Sequence, residues 1–350
     1  MEINSDYTYT IEVYDPSNGN TLQEGPVGSL MKYGEHTLFE GLCKGKILPC
    51  TYGSVSKAHA EPVWLRKHPK PYMSSMAVTI DVDGNSQSFS KVFTLTAFYS
   101  KAQRIGRLLV ERGLLADNTP IYYRIAAYPK SRDTISTGNT RSSNFSAKIT
   151  TGRGDLILKQ PEESFLNVNP SSRELFDVYI LKSTRDSLIR KTEKAGRYEN
   201  ASFLVGYLGY APDSKRVYLA IVDEISAQAG AECTSTSFTF SSETFAAAQK
   251  ALLLHRNDQR LHIAGWEHNH SFSLDSEQVS QPATTTAFWS QDDDLVQESA
   301  FPEPHQVALV IGLKTTSSAT TKKQPYDLKL YGWRDAIIRE RKFLILKQRV

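Results

Sequence analysis

Leu261-His262-Ile263-Ala264-Gly265-Trp266-Glu267-His268-Asn269-His270 is the stretch on which the reading of this chain turns. Its apolar start reads as a buried strand. Successive side chains on a strand point to opposite faces, so His268 and His270, two positions apart, face the same way. They can offer two imidazole nitrogens to one metal ion from a rigid platform. Downstream lies Trp289-Ser290-Gln291-Asp292-Asp293-Asp294-Leu295, and an aspartate from this separate segment would be a third ligand. Three protein ligands leave one tetrahedral position open for water, as in a catalytic rather than a structural zinc site. The same segment also reads as a helix start, with Ser290 as N-cap and acidic residues in the first turn. The two readings are compatible, and three consecutive aspartates leave the choice of ligand open.

Outward from that strand, the second half alternates strands and helices. Val178–Leu181 leads into a helix over about Ser183–Ala195, followed by strands at Phe203–Gly209, Val217–Ile225 and Ser235–Phe240. Ser242 caps a helix to about Leu254, and Gln306–Leu313 and Asp327–Trp333 are further strands. The pattern predicts a mixed α/β sheet flanked by helices. The tail Arg339–Arg349 interleaves charge with Phe343-Leu344-Ile345-Leu346 and reads as a final strand or helix. The first half predicts a smaller α+β domain. Strands at Tyr7–Tyr14, Met76–Asp83, Val92–Tyr99 and Ile121–Tyr128 accompany one helix from Ser100 to Leu114. Lys130–Asn144 is rich in Ser, Thr, Arg, Asn and Gly and reads as a linker. The expected division is residues 1–150, a connecting segment 151–171, and residues 172–350.

Composition narrows the classes. The chain has 350 residues, 40% hydrophobic and 23% charged, with a net charge of +3, so nothing in its charge argues for nucleic-acid binding. No apolar run is long enough for a membrane helix, and the polar N-terminus does not read as a signal peptide. A cytoplasmic protein is the expectation. Three cysteines are too few for a disulfide framework. Cys43, Cys50, His59 and His68 match no ordinary zinc spacing, and Arg153-Gly154-Asp155 reads as a plain turn. Glu267 lies beside the histidines but on the opposite face of the strand, which argues against a role as base or ligand.

The constellation resembles the JAMM (JAB1/MPN) metallopeptidase family, whose pattern is an upstream Glu, then His-x-His, then Ser-x-x-Asp. His268-Asn269-His270 and Ser290-Gln291-Asp292-Asp293 match the two later parts, and the three-residue offset from Ser290 selects Asp293. The Glu falls at Glu199, with Leu204 and Gly206 in register with the family's Gly-Leu-Gly strand. The resemblance covers roughly residues 172–334. Ser202 replaces a usual Gly, Ser271 stands where a Pro usually follows, and residues 271–287 lengthen the gap between the two motifs. The resemblance implies a JAB1/MPN-like (cytidine-deaminase-like) fold and one Zn2+ per chain on His268, His270 and Asp293. It also implies Glu199 as general base then general acid, and Ser290 as donor to the oxyanion.

The function expected on this resemblance is hydrolysis of the amide bond after the C-terminal tail of a ubiquitin-like protein, in deconjugation or precursor maturation. E1/E2-like conjugation enzymes are the expected further partners, and a bacterial conjugation or antiphage-defence operon the expected setting. Residues 1–150 would recruit substrate or partner. Two alternatives stand beside it: a catalytically silent scaffold of the same fold, and a metallopeptidase acting on another tail-bearing or cell-wall peptide.

Overall fold

The computed structural model describes residues 3–47, 55–65, 70–82, 87–117, 119–130, 174–195, 198–211, 216–227, 232–233, 238–255, 261–270, 287–313 and 326–346. The expected linker beyond Lys130, the connecting segment 151–171, the tripeptide at 153–155, and Cys50 and His68 lie outside the described residues. So does the insertion, apart from Ala287. The chain divides into two compact units. One comprises Met1–Leu42, Lys46–Asp155 and Asp335–Ile337; the other comprises Cys43–Gly45, Leu156–Arg334 and Ile338–Val350.

The first unit holds two three-stranded antiparallel sheets. One has the order β2 (Thr21–Pro26), β1 (Tyr7–Tyr14), β6 (Tyr122–Pro129). The other has the order β3 (Val55–Trp64), β4 (Met73–Val82), β5 (Gln87–Thr94). Helices α1 (Met31–Cys43) and α2 (Tyr99–Glu111) accompany them, and Ile11, Tyr33, Met76, Val78, Phe93, Phe98 and Ile125 form the shared core. The strand expected over 92–99 ends at Thr94. A 3-10 turn over Leu95–Phe98 follows and runs directly into α2, whose N-cap is Phe98 rather than Ser100.

The second unit is a mixed α/β layer structure around one eight-stranded sheet, ordered β15-β14-β13-β12-β8-β9-β7-β16. Its elements are β7 (Asp177–Leu181), α3 (Lys182–Ala195), β8 (Ala201–Ala211), β9 (Arg216–Ser226), α4 (Ser242–His255), β12 (His262–Asn269), α5 (Gln291–Ala300), β13 (Val307–Leu313), β14 (Tyr326–Arg334), β15 (Ile337–Arg341) and β16 (Leu344–Leu346). Of the strand expected at Ser235–Phe240, residues 235–237 lie outside the described residues and Phe238–Thr239 is strand β11, which pairs with β10 (Glu232–Cys233). The described part of the tail, to residue 346, ends in strand β16, which pairs parallel to β7. Ser241, not Ser242, caps α4, its hydroxyl accepting from the Thr244 amide at 3.2 Å.

The central strands are buried almost along their whole length because both faces of the sheet are covered. Residues of α4 and α5 (Phe245, Ala248, Val296, Ala300) pack over Ala201, Phe203 and Trp266 on one face. On the other face, α3 sends Lys191 to Glu224 of β9. Strands β12 and β13 are parallel and joined through α5, a strand–helix–strand crossover. In such a unit the carboxyl end of the first strand and the amino end of the helix meet at one rim, where open α/β sheets place their sites.

Candidate metal centre

The carboxyl end of β12 carries both histidines. In its antiparallel pairing with β8, Trp266 lies opposite Phe203, Glu267 opposite Ser202 and His268 opposite Ala201. Trp266, His268 and His270 therefore share one face with Phe203, Ala201 and, by continuation, Glu199, while Glu267 and Ser202 share the other. On the other side of β12, Gly265 permits the close approach of β13. A Cβ there would stand 1.8 Å from the Val307 carbonyl oxygen, and its φ of +150° is one that side chains rarely adopt.

His268, His270 and Asp293 come together as a buried group whose ligand atoms all lie within 4.8 Å of one another, a set that could hold a metal ion. His268 Nε2 is 3.0 Å from His270 Nε2 and 3.2 Å from Asp293 Oδ1. Two imidazole nitrogens facing each other need a proton or a cation between them, since two lone pairs repel. Zinc–nitrogen bonds of about 2.0–2.1 Å at a tetrahedral angle put ligand atoms about 3.3 Å apart. The two separations are close to that spacing, so the residues fit a small tetrahedral cation.

Each ligand is held from behind. His268 stacks on Trp266 with ring centroids 4.5 Å apart and planes at 13°. Trp266 is itself fixed by donation from its indole N–H to Gln297 Oε1 at 2.8 Å and by stacking on Phe301. Among the described residues His268 Nδ1 has no hydrogen-bond partner, so here the stacked indole does the orienting usually left to an acceptor on the second ring nitrogen. His270 donates its backbone N–H to the Ile311 carbonyl at 2.9 Å, and its ring packs against Phe288.

Asp293 sits at the third position of α5 in a reciprocal capping box. Its Oδ2 accepts from the Ser290 amide at 2.7 Å, and its own amide donates to Ser290 Oγ at 3.1 Å. One carboxylate oxygen is thus spent on the helix and the other, Oδ1, faces His268. Burial works against ionisation of Asp293. His268 and the hydrogen bonds from His268 and Ser290 outweigh it and hold the carboxyl below its ordinary value. In the capping box Ser290 Oγ serves as acceptor, which leaves the hydroxyl hydrogen available to a further acceptor.

Glu199, only 5% exposed, lies just before β8. Burial pushes its carboxyl up to about 7; His268 opposes the rise and Asp293 reinforces it. Its ionisation is thus coupled to two members of the triad. Glu267 is buried on the far face, and burial raises its carboxyl well above the ordinary value, with Lys191 opposing and Glu224 reinforcing. Sequence reasoning missed Trp266, Gln297 and Asn269. The two-residue spacing to His268 was the available signal for Trp266.

Comparison with known proteins leaves the chain without a family assignment: no family model matches it, and no curated protein does. Among solved structures it is similar to the solution structure of a structural-genomics target from Desulfitobacterium hafniense. That likeness has 14% identity and a TM-score of 0.32, and it covers 49% of this chain and 94% of the other.

Proposed function

We propose that the second unit is a zinc-dependent peptidase of the JAMM type. It would hydrolyse the amide bond after the C-terminal tail of a ubiquitin-like protein. The observation that carries this reading is the convergence of His268, His270 and Asp293 with a buried glutamate whose carboxyl is held near neutrality. The motif resemblance supports the substrate class and the fold, including E1/E2-like enzymes as partners and a cytoplasmic setting. Among the described residues no helix is long and apolar enough to cross a membrane.

His268, His270 and Asp293 would hold the ion, which when bound supplies Lewis-acid activation and lowers the pKa of a water to about 7. Glu199 takes a proton from the attacking water onto its carboxylate and returns it to the leaving nitrogen. A carboxyl poised near the working pH does both efficiently. Ser290, anchored by the capping box, donates its hydroxyl hydrogen to the carbonyl oxygen as that atom gains negative charge. The buried aromatic layer of Trp266, Phe301 and Phe203 excludes water from the inner side and strengthens each of these interactions.

The test is metal content together with cleavage of ubiquitin bearing a fluorogenic amide at its C-terminus. About one zinc per chain and cleavage abolished in Glu199→Ala support the reading. Zinc without cleavage moves it to a silent module of the same constellation, or to another tail-bearing substrate. A well-folded protein purified without chelator that binds no zinc ends it.

A further inference from the structure

We propose that Asn269, the residue between the two histidine ligands, is a positioning residue that latches Glu199 over the metal triad. The inference rests on the function proposed above and adds a residue that none of its chemistry requires directly.

Asn269 is fully buried. It makes three hydrogen bonds to the segment carrying Glu199. Its backbone N–H donates to the Asn200 carbonyl at 3.3 Å, its side-chain Oδ1 accepts from the Asn200 amide at 2.7 Å, and its Nδ2 donates to the Tyr198 carbonyl at 3.2 Å. The first bond continues the β12–β8 ladder by one residue beyond the His268–Ala201 pair. The other two are not ladder bonds. The primary amide takes the place of a peptide group, accepting with its oxygen and donating with its nitrogen, so the chain can leave the sheet at Glu199 without orphaning the backbone on either side. Asn200 is tied in turn to α3, its Nδ2 donating to the Lys191 carbonyl at 3.1 Å.

The consequence is a fixed spacing between base and ligands. Glu199 is flanked by two residues whose backbone groups are bound to one side chain, and that side chain belongs to the residue between His268 and His270. The pairing needs an acceptor and a donor on one short side chain. An ionised Asp accepts but cannot donate to the Tyr198 carbonyl, Ser is too short to reach both groups, and an apolar residue leaves two buried backbone groups unpaired. A displacement of about 1 Å at a reacting group can cost about a hundredfold in rate. A latch of this kind therefore acts on turnover and not on metal binding.

The experiment compares the full-length parent, Asn269→Ala, Glu199→Gln and the double variant, all zinc-loaded, on ubiquitin with a fluorogenic C-terminal amide. Amide exchange at Asn200 is read by NMR in the metal-free proteins. Asn269→Ala is expected to keep its zinc and KM while kcat falls about a hundredfold. In the Glu199→Gln background the same change is expected to cost less than about twofold, because the two residues act as one unit. The Asn200 amide is expected to exchange at least about tenfold faster. Loss of zinc in Asn269→Ala, an equal loss of kcat in both backgrounds, or unchanged exchange at Asn200 would overturn the proposal. If Asn269→Ala does not fold, the isosteric Asn269→Asp, which keeps the acceptor and loses the donor, takes its place with the same expectations in smaller measure. A parent that binds no zinc or cleaves nothing refutes the proposed function instead, and the exchange rate then decides on its own whether Asn269 holds residues 198–200.

Discussion

Two buried glutamates flank the strand pairing at the heart of the second unit, and burial raises both carboxyls. Glu199 shares its face with Trp266, His268 and His270, and the charges it feels are those of His268 and Asp293. Glu267 faces the other way, toward Lys191 and Glu224. A raised carboxyl alone therefore does not mark a catalytic group. What separates the two is the company each keeps: a set of ligand atoms on one side, an ion pair under a helix on the other. On the far face Lys191 pairs with Glu224, whereas on the near face Asp293 Oδ1 and the Nε2 atoms of His268 and His270 converge on one another.

The comparison breaks most sharply on the metal ligands. His268→Ala and Asp293→Ala should each lose bound zinc altogether, read as metal per chain by mass spectrometry. Asp293→Ala should also lose about 0.5–2 kcal/mol of stability in the metal-free protein because the capping box goes with it. Retained zinc in both variants would show that the near face is as inert as the far one.

Glu199→Gln comes next. It should keep the metal and lose about 10²- to 10⁴-fold in kcat on a ubiquitin-like amide substrate. In the parent, kcat should rise with pH as Glu199 deprotonates. Its inflection should lie below the value of about 7 for the metal-free protein, because a bound cation favours the carboxylate. Stability runs the opposite way. A folded carboxyl pKa raised above the unfolded value, about 4.3, means that the native state binds more protons across that interval. The stability of the metal-free parent relative to Glu199→Gln should therefore fall as pH rises from about 4.3 toward 7, read as the difference between their thermal melts. A difference between the two that stays constant or grows over that range would contradict the assignment.

Trp266→Leu tests whether stacking does the work of an orienting hydrogen bond. It should weaken zinc affinity by about 10- to 100-fold, measured by competition with a chelator, while leaving all three ligands in place. The smallest effect belongs to the far face. Glu267→Gln should hold zinc and kcat within about twofold of the parent and raise the melting temperature above neutral pH, where the buried carboxyl is under pressure to ionise. A large loss of turnover there would dissolve the distinction between the two faces.

How much of this was legible depended on the range of the interaction. The His268–His270 pairing follows from strand alternation, and the Ser290–Asp293 box from four adjacent residues, so both could be read directly. Glu199 could not be found from its neighbours; only the motif resemblance pointed to it. The Asn269 bonds to Tyr198 and Asn200 span about seventy positions and leave no local pattern. In the first unit, α1 was missed because its buried side includes Gly34, Glu35, His36, Thr37 and Gly41, which blur a helical apolar stripe. The start of α2 was misplaced because Ser100 has the chemistry of a cap, whereas the 3-10 turn before Tyr99 makes one unnecessary.

The double use of Asp293 has a consequence for how such a chain can change over generations. Its carboxylate is aimed by a bond to the amide three residues earlier, so the aim is set inside the span from Ser290 to Asp293. The number of residues that arrive between His270 and that span does not enter. Insertions and deletions there leave intact the bonds that aim the ligand from its helix.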